Sequence, residues 1–159
     1  LLGATRPGNP AAFALPRALL RGSADFSFSG LKTAAHRLID EQAGAGGAAN
    51  LARTPDLLAD LAASFQEAVV DALVTRTLAA AEQYPVKGIL LAGGVAANTR
   101  LRELIQARSP LPVRIPPLAF CTDNAAIVAG TGYYMLKAGN TADLTLDIDP
   151  NRRLAEAAF

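Results

Sequence analysis

Ile89-Leu90-Leu91-Ala92-Gly93-Gly94-Val95-Ala96-Ala97-Asn98 is the stretch whose reading decides the fold. The apolar run over residues 86–92 has the composition of a short strand buried on both faces of a sheet. It ends in two glycines, and Asn98 or Thr99 then opens a helix through about Ala107. A second strand is expected over residues 112–115, and a last helix over 124–137, opened by Thr122. Upstream, Thr54-Pro55-Asp56 reads as the cap, first position and acidic first turn of a long helix running to about Gln83. Along it Leu58, Leu61, Phe65, Val69 and Ala72 recur at helical spacing and form a stripe that must be buried.

Helix, strand, glycine turn, helix, strand, helix is an α/β pattern. It supplies two strands, or three if the alternation Leu144-Thr145-Leu146-Asp147-Ile148 pairs as well. That is fewer than stable α/β domains use, so further strands are expected outside the chain. The long helix and the strand near Ile89 should then show an apolar face with no partner. Residues 1–24, rich in Gly, Pro and Arg, read as an irregular connector. Asp25-Phe26-Ser27-Phe28 leads into a helix ending near Gln42, with Ser29 as its N-cap, and residues 43–50 read as a flexible loop.

Composition excludes several classes. The 159 residues are 51% hydrophobic and carry a net charge of +1, which fits a packed core rather than disorder. With one cysteine and one histidine, the chain holds no disulfide framework and no zinc site of Cys and His ligands. A reducing compartment is the default. Near-neutral charge argues against binding nucleic acid by electrostatics alone, and no apolar run approaches a membrane span. The chain opens without Met and in mid-phrase, as a piece of something longer would.

Several residues could carry chemistry. A glycine pair between a buried strand and a helix N-terminus lets backbone approach a ribose or phosphate, though a plain strand-to-helix turn uses the same residues. Arg100 and Arg102 in that helix's first turn oppose its dipole, which suggests either a nearby anion or simple solvation, and Lys32 repeats the anomaly earlier. Thr122 and Asp123 suit helix capping, and one carboxylate alone is no metal site. Cys121 has no base beside it and reads as structural. His36 lacks a partner at helical spacing. Glu67 and Asp71, four apart, read as a solvated face.

Taken in order, Asp25-Phe26-Ser27-Phe28-Ser29-Gly30-Leu31-Lys32-Thr33, Ala62-Ala63-Ser64-Phe65-Gln66-Glu67-Ala68-Val69, Leu91-Ala92-Gly93-Gly94-Val95-Ala96-Ala97-Asn98 and Cys121-Thr122-Asp123-Asn124-Ala125-Ala126 resemble the C-terminal half of the TsaD family. The resemblance covers nearly the whole chain. It implies part of an actin-like domain of the sugar-kinase, Hsp70 and actin superfamily, with a small mixed sheet and long flanking helices, incomplete without the N-terminal half. Residues 1–50 would be a connector and first helix, 51–120 the nucleotide-binding core, and 121–159 a metal-ligand helix and tail directed toward the missing half.

The activity implied is transfer of a threonylcarbamoyl group from threonylcarbamoyl-AMP to N6 of adenosine 37 in tRNAs that read A-starting codons. The resemblance marks Asn98, Gly93 and Gly94 as nucleotide-binding, Asp123 as a metal ligand, and Ser29 and Lys32 as residues near the cleft. It implies one divalent metal ion, iron in the first place with zinc or magnesium as alternatives, held also by two histidines outside this chain. The companions implied are tRNA, and in bacteria TsaB and TsaE with TsaC supplying the adenylate; neither membrane nor DNA is expected, and the compartment implied is the cytoplasm. The isolated piece would be inactive. The competing reading is a non-catalytic nucleotide-binding or partner-docking module of the TsaB type, against which the presence of Asp123 weighs.

Overall fold

The computed structural model describes residues 7–17, 25–44, 50, 53–145 and 147. The chain divides into two compact units, Leu1–Leu91 with Asn98–Ile115, and Ala92–Ala97 with Pro116–Phe159.

The first unit is built on α2 (Pro55–Gln83), preceded by α1 (Ser29–Ala43) and followed by β1 (Ile89–Leu90), α3 (Thr99–Arg108) and β2 (Val113–Arg114). The bounds of α2 are those its punctuation predicts. Pro55 occupies the first turn with Asp56, and the chain leaves the helix at an extended Tyr84, because the residue before Pro85 is pushed away from helical backbone. The cap differs in detail: Thr54 sits at the N-cap without capping, and its hydroxyl instead donates to the Asn50 carbonyl at 3.3 Å. At α1 the expected Ser29 cap is corrected. Phe28 is the N-cap residue and Ser29 already lies in the helix, with its carbonyl accepting from the Thr33 hydroxyl at 3.1 Å. Ala43, expected in a loop, is the buried last residue of α1; residues 45–49 of that loop lie outside the described residues.

One stripe does not account for α2. Toward α1, Ala68 packs with Leu31 and Leu15, and Leu61 with Ala43; toward α3 and the sheet, Val70 and Val74 pack with Leu101, Leu104 and Ile105. Leu61 and Ala72 of the expected stripe are buried, Phe65 and Val69 are half-buried, and Leu58 is exposed. A helix apolar on more than one side is what a central, sandwiched position requires. Fully buried alanines at 68 and 72 let the neighbours approach closely.

The segment 7–17 has no regular element, as expected, yet it is pinned along α2. Asp60 accepts from the Asn9 amide at 2.7 Å, and buried Ser64 accepts from the Phe13 amide at 3.2 Å while donating to the Asn9 carbonyl at 3.3 Å. Arg17 reaches Asp71 at 2.9 Å. Gly8 is required here, because a Cβ would run into the Ala59 carbonyl.

β1 and β2 are parallel, with Ile89 opposite Val113 and Leu90 opposite Arg114. Amides of Ile89 and Leu91 donate to Pro112 and Arg114 carbonyls at 2.9 and 3.0 Å, and α3 supplies the crossover that parallel pairing needs. Both strands are shorter than predicted, and β1 is not buried on both faces: Leu90 is 74% exposed. Among the described residues no further strand covers it. The expected uncovered strand is therefore observed, whereas the long helix expected to share that exposure is packed on two sides. Of the alternation at 144–148, Leu144 and Thr145 lie in a turn, and Leu146 and Ile148 are outside the described residues.

The second unit holds the Gly94–Ala97 turn of 3-10 helix, a second at Leu118–Phe120, and α4 (Ala125–Lys137). Cys121 is buried, its sulfur 3.8 and 3.6 Å from the Pro116 and Pro117 carbonyls, which agrees with a structural role. α4 ends in a Schellman motif: Gly139 at φ +80° donates to Leu136, and Asn140 donates to Met135. No residue of α4 is buried, although Ile127, Val128, Tyr133, Tyr134 and Leu136 lie along it. Among the described residues, no helix is long and apolar enough to cross a membrane.

Candidate functional site

Asn98 is the best-defined candidate residue. It is the N-cap of α3 in extended backbone, and its Oδ1 accepts from the Leu101 amide at 3.0 Å. Its Nδ2 donates to Oε1 of Gln66, on α2, at 3.1 Å. Both ends of the amide are thus engaged, and among the described residues half the side chain's hydrogen-bonding capacity remains: one N–H and one oxygen lone pair.

Arg100, two residues on, finds its anion inside the protein. Its guanidinium grips Glu67 in a bidentate pair, Nε to Oε2 at 2.7 Å and Nη2 to Oε1 at 2.8 Å, with Glu103 a further 3.9 Å neighbour. The hydrogen bond from Arg100 holds the Glu67 carboxyl below its ordinary range against the opposing effect of burial, and Glu67 in turn raises Arg100. The other acid of the supposed solvated face behaves alike. Asp71 accepts from Arg17 at 2.9 Å and Arg108 at 2.6 Å. Burial pushes the Asp71 carboxyl up, but the bonds from Arg108 and Arg17 outweigh it and leave the group below its usual value. The solvated-face reading of Glu67 and Asp71 is therefore corrected: each is consumed by arginine from a distant part of the sequence.

Ser29 and Lys32 stand in the first turn of α1, which has no acidic residue there. Ser29 is exposed, and Lys32 lines an apolar cavity of about 320 Å³ between α1 and α2, with His36, Leu61 and Phe65 among its other walls. Lys32 has no ion-pair partner among the described residues.

In the second unit, Gly93 takes φ +86°, a left-handed conformation that glycine adopts without strain. Its carbonyl accepts from the Ala96 amide at 3.0 Å and starts the Gly94–Ala97 turn. Among the described residues nothing lies within 4 Å of where a Cβ would project from Gly93 or Gly94, so the backbone there is open to approach on that side. Asp123 is exposed, and the capping role expected of Thr122 and Asp123 is corrected. Asn124 is the N-cap of α4: its Oδ1 accepts from the Ile127 amide at 3.1 Å and its Nδ2 donates to the Thr122 carbonyl at 2.8 Å. Asp123 precedes the cap and is not needed to hold the helix.

The described residues contain no group of three or more His, Cys, Asp or Glu that could hold a metal ion. Gln66, the partner of Asn98, is the contact that sequence reading missed. It lay within a signature segment, but its partner is 32 residues away and only the packing of α3 on α2 joins them.

A family model described as TsaD, tRNA N6-adenosine threonylcarbamoyltransferase, matches residues 1–130. The chain is 47% identical over 160 residues to the tRNA N6-adenosine threonylcarbamoyltransferase of Dehalococcoides mccartyi, covering 94% of this chain and 46% of the relative. It is 46% identical over 157 residues to that of Thermomicrobium roseum, with 91% and 43% covered, and 48% identical over 152 residues to that of Symbiobacterium thermophilum, with 91% and 41% covered. The chain thus spans less than half the length of these curated relatives.

Proposed function

The chain belongs to the TsaD family, and from that premise we propose that it serves the transfer of a threonylcarbamoyl group from threonylcarbamoyl-AMP to N6 of adenosine 37 in tRNAs reading A-starting codons. The observation that carries the reading is Asn98: a side chain pinned at both ends, after an open glycine turn, with one donor and one acceptor left for a ligand. That pairing of a free N–H with a free lone pair suits a nucleoside, which presents both kinds of group. Gly93 and Gly94 would let the adenylate pass close to the backbone. Ser29 and Lys32 are assigned to the neighbourhood of the cleft, and the fold to part of an actin-like domain, on the family's pattern. The companions proposed are tRNA, TsaB and TsaE.

A metal ion is implied by the family, and Asp123 fits as one ligand. It is an exposed carboxylate, it is not spent on capping, and no ion pair engages it among the described residues. The remaining ligands would come from outside the described residues, since no cluster exists within them. When bound, a divalent ion would polarise an oxygen of the intermediate. The chain's own residues hold and orient the nucleotide, and nothing in that task requires a proton from His36.

The test is a transfer assay on the natural gene product with threonylcarbamoyl-AMP and unmodified tRNA, read by mass spectrometry of the released nucleosides. Asp123→Ala should abolish transfer and lower metal content, and Asn98→Ala should lower transfer with metal content unchanged. Normal transfer and metal retention in Asp123→Ala would overturn the ligand assignment.

A further inference from the structure

We propose that Gln66 is a positioning residue for Asn98, holding the Nδ2 end of an amide that the Leu101 N–H has oriented, so that its remaining N–H faces the nucleotide. The inference rests on the reading of Asn98 as a nucleotide contact and goes one residue deeper. An asparagine side chain is nearly symmetric in shape, and a flip of its amide exchanges donor for acceptor. A flipped Asn98 would offer a nucleotide the wrong pattern. One contact prevents this, and a second steadies the amide it has oriented. The Leu101 amide is a donor and cannot reverse its role, so it selects Oδ1 as the inner atom. Gln66 Oε1, 3.1 Å from Nδ2, accepts on the other side.

The cap alone would leave the Nδ2 end free to swing. Ser or Asp at position 98 would cap α3 as well, so capping does not explain why an amide is used. The amide is needed where a donor must point at α2 and a second donor outward. Gln66 is itself exposed, in about the fourth turn of a 29-residue helix whose buried residues include Ala68, Val70 and Val74. Its replacement therefore leaves the core of α2 untouched. Its neighbour Glu67 holds the Arg100 guanidinium in the first turn of α3, so two consecutive residues of α2 engage side chains at the start of that helix: Gln66 that of Asn98 and Glu67 that of Arg100.

The experiment measures AMP binding by calorimetry on the natural gene product, in wild type, Asn98→Ala, Gln66→Leu and the double variant, alongside the side-chain amide resonances of Asn98. Gln66→Leu should weaken AMP binding about three- to tenfold, the loss expected for one hydrogen bond. The Asn98 Nδ2 protons should move to free-amide positions while the Leu101 backbone amide stays in place. The double variant should bind no more weakly than Asn98→Ala alone, since the effect of Gln66 passes through that residue. Gln66→Glu, which keeps the acceptor, should restore the Asn98 resonances. If Gln66→Leu binds AMP as wild type while Asn98→Ala binds weakly, the positioning role is overturned and the Asn98 reading stands. If Asn98→Ala binds as wild type, the nucleotide reading of Asn98 fails and this inference fails with it. Unmoved Nδ2 protons in Gln66→Leu would also overturn it.

Discussion

Replacing Glu67 by alanine should cost more than replacing its partner Arg100, although both changes delete the same ion pair. The pair is bidentate, with bonds of 2.7 and 2.8 Å, and the side chains are 17% and 37% exposed for Glu67 and Arg100. Hydrogen bonds between charged groups contribute about 1.5–3 kcal/mol when protected, and partial exposure of the guanidinium screens this toward about 1–1.5 kcal/mol. The difference lies in what is left behind. Arg100 stands in the first turn of α3, where a cation left with only the 3.9 Å Glu103 contact opposes the helix dipole by roughly 0.5 kcal/mol. Glu67 left alone faces that same positive helix end, which compensates it in part. We therefore expect about 2 kcal/mol for Glu67→Ala and about 1 kcal/mol for Arg100→Ala.

Urea unfolding followed by far-UV circular dichroism measures both, and the double variant isolates the coupling. The pH dependence adds a check of sign. Because Arg100 holds the Glu67 carboxyl below its unfolded value, the pair's contribution is present above the unfolded value and is lost as pH falls through the folded one. The gap between wild type and Glu67→Ala should accordingly close in acid. Arg100→Ala costing more than Glu67→Ala at neutral pH, or a gap that widens in acid, would refute the reasoning.

Three further outcomes are expected. Leu31→Ala, at a site 2% exposed between α1 and α2, should lose about 2–4 kcal/mol, seen as a lower urea midpoint. Gly8→Ala places a Cβ against the Ala59 carbonyl and 2.9 Å from the Ala63 Cβ, so the segment 7–17 should detach and be cut faster in limited proteolysis while α2 keeps its circular dichroism. Asn98→Ala removes the α3 cap and should cost about 1 kcal/mol of stability apart from any effect on ligand binding.

What the sequence made legible was local. Thr54-Pro55-Asp56 and Tyr84-Pro85 mark both ends of α2 because proline acts on its immediate neighbours whatever the tertiary context. The glycine turn, the Asn98 cap and the order strand, helix, strand follow from residues within one turn of each other. Strand length and burial were not legible, since a run like 86–92 shows what a strand could bury and not what is available to cover it. Asn124 took the α4 cap from Thr122, two residues on, with the extended backbone of an N-cap falling at Asn124. The ion pairs were hidden for a simpler reason. Glu67 and Asp71 look repulsive along α2, and the arginines that resolve this lie 33, 37 and 54 residues away. Of the candidate site, the family's motif pointed to Asn98 and Asp123 as proposed contacts, while the Gln66–Asn98 bond needed the packing of two helices to be seen.

The exposed surface of α4 has a consequence for the chain's internal clock. At 13 residues with no side chain buried, it sits near the length at which a lone helix barely holds in water, about 12–15 residues. What secures it is at its tips, the Asn124 cap and the Gly139 reversal. Its amides should therefore exchange with solvent by local fraying, at rates set by those end bonds, while the amides of α2 wait for the first unit to open. Helix content and core stability are separate quantities in this chain, and a probe placed on α4 would report only the first.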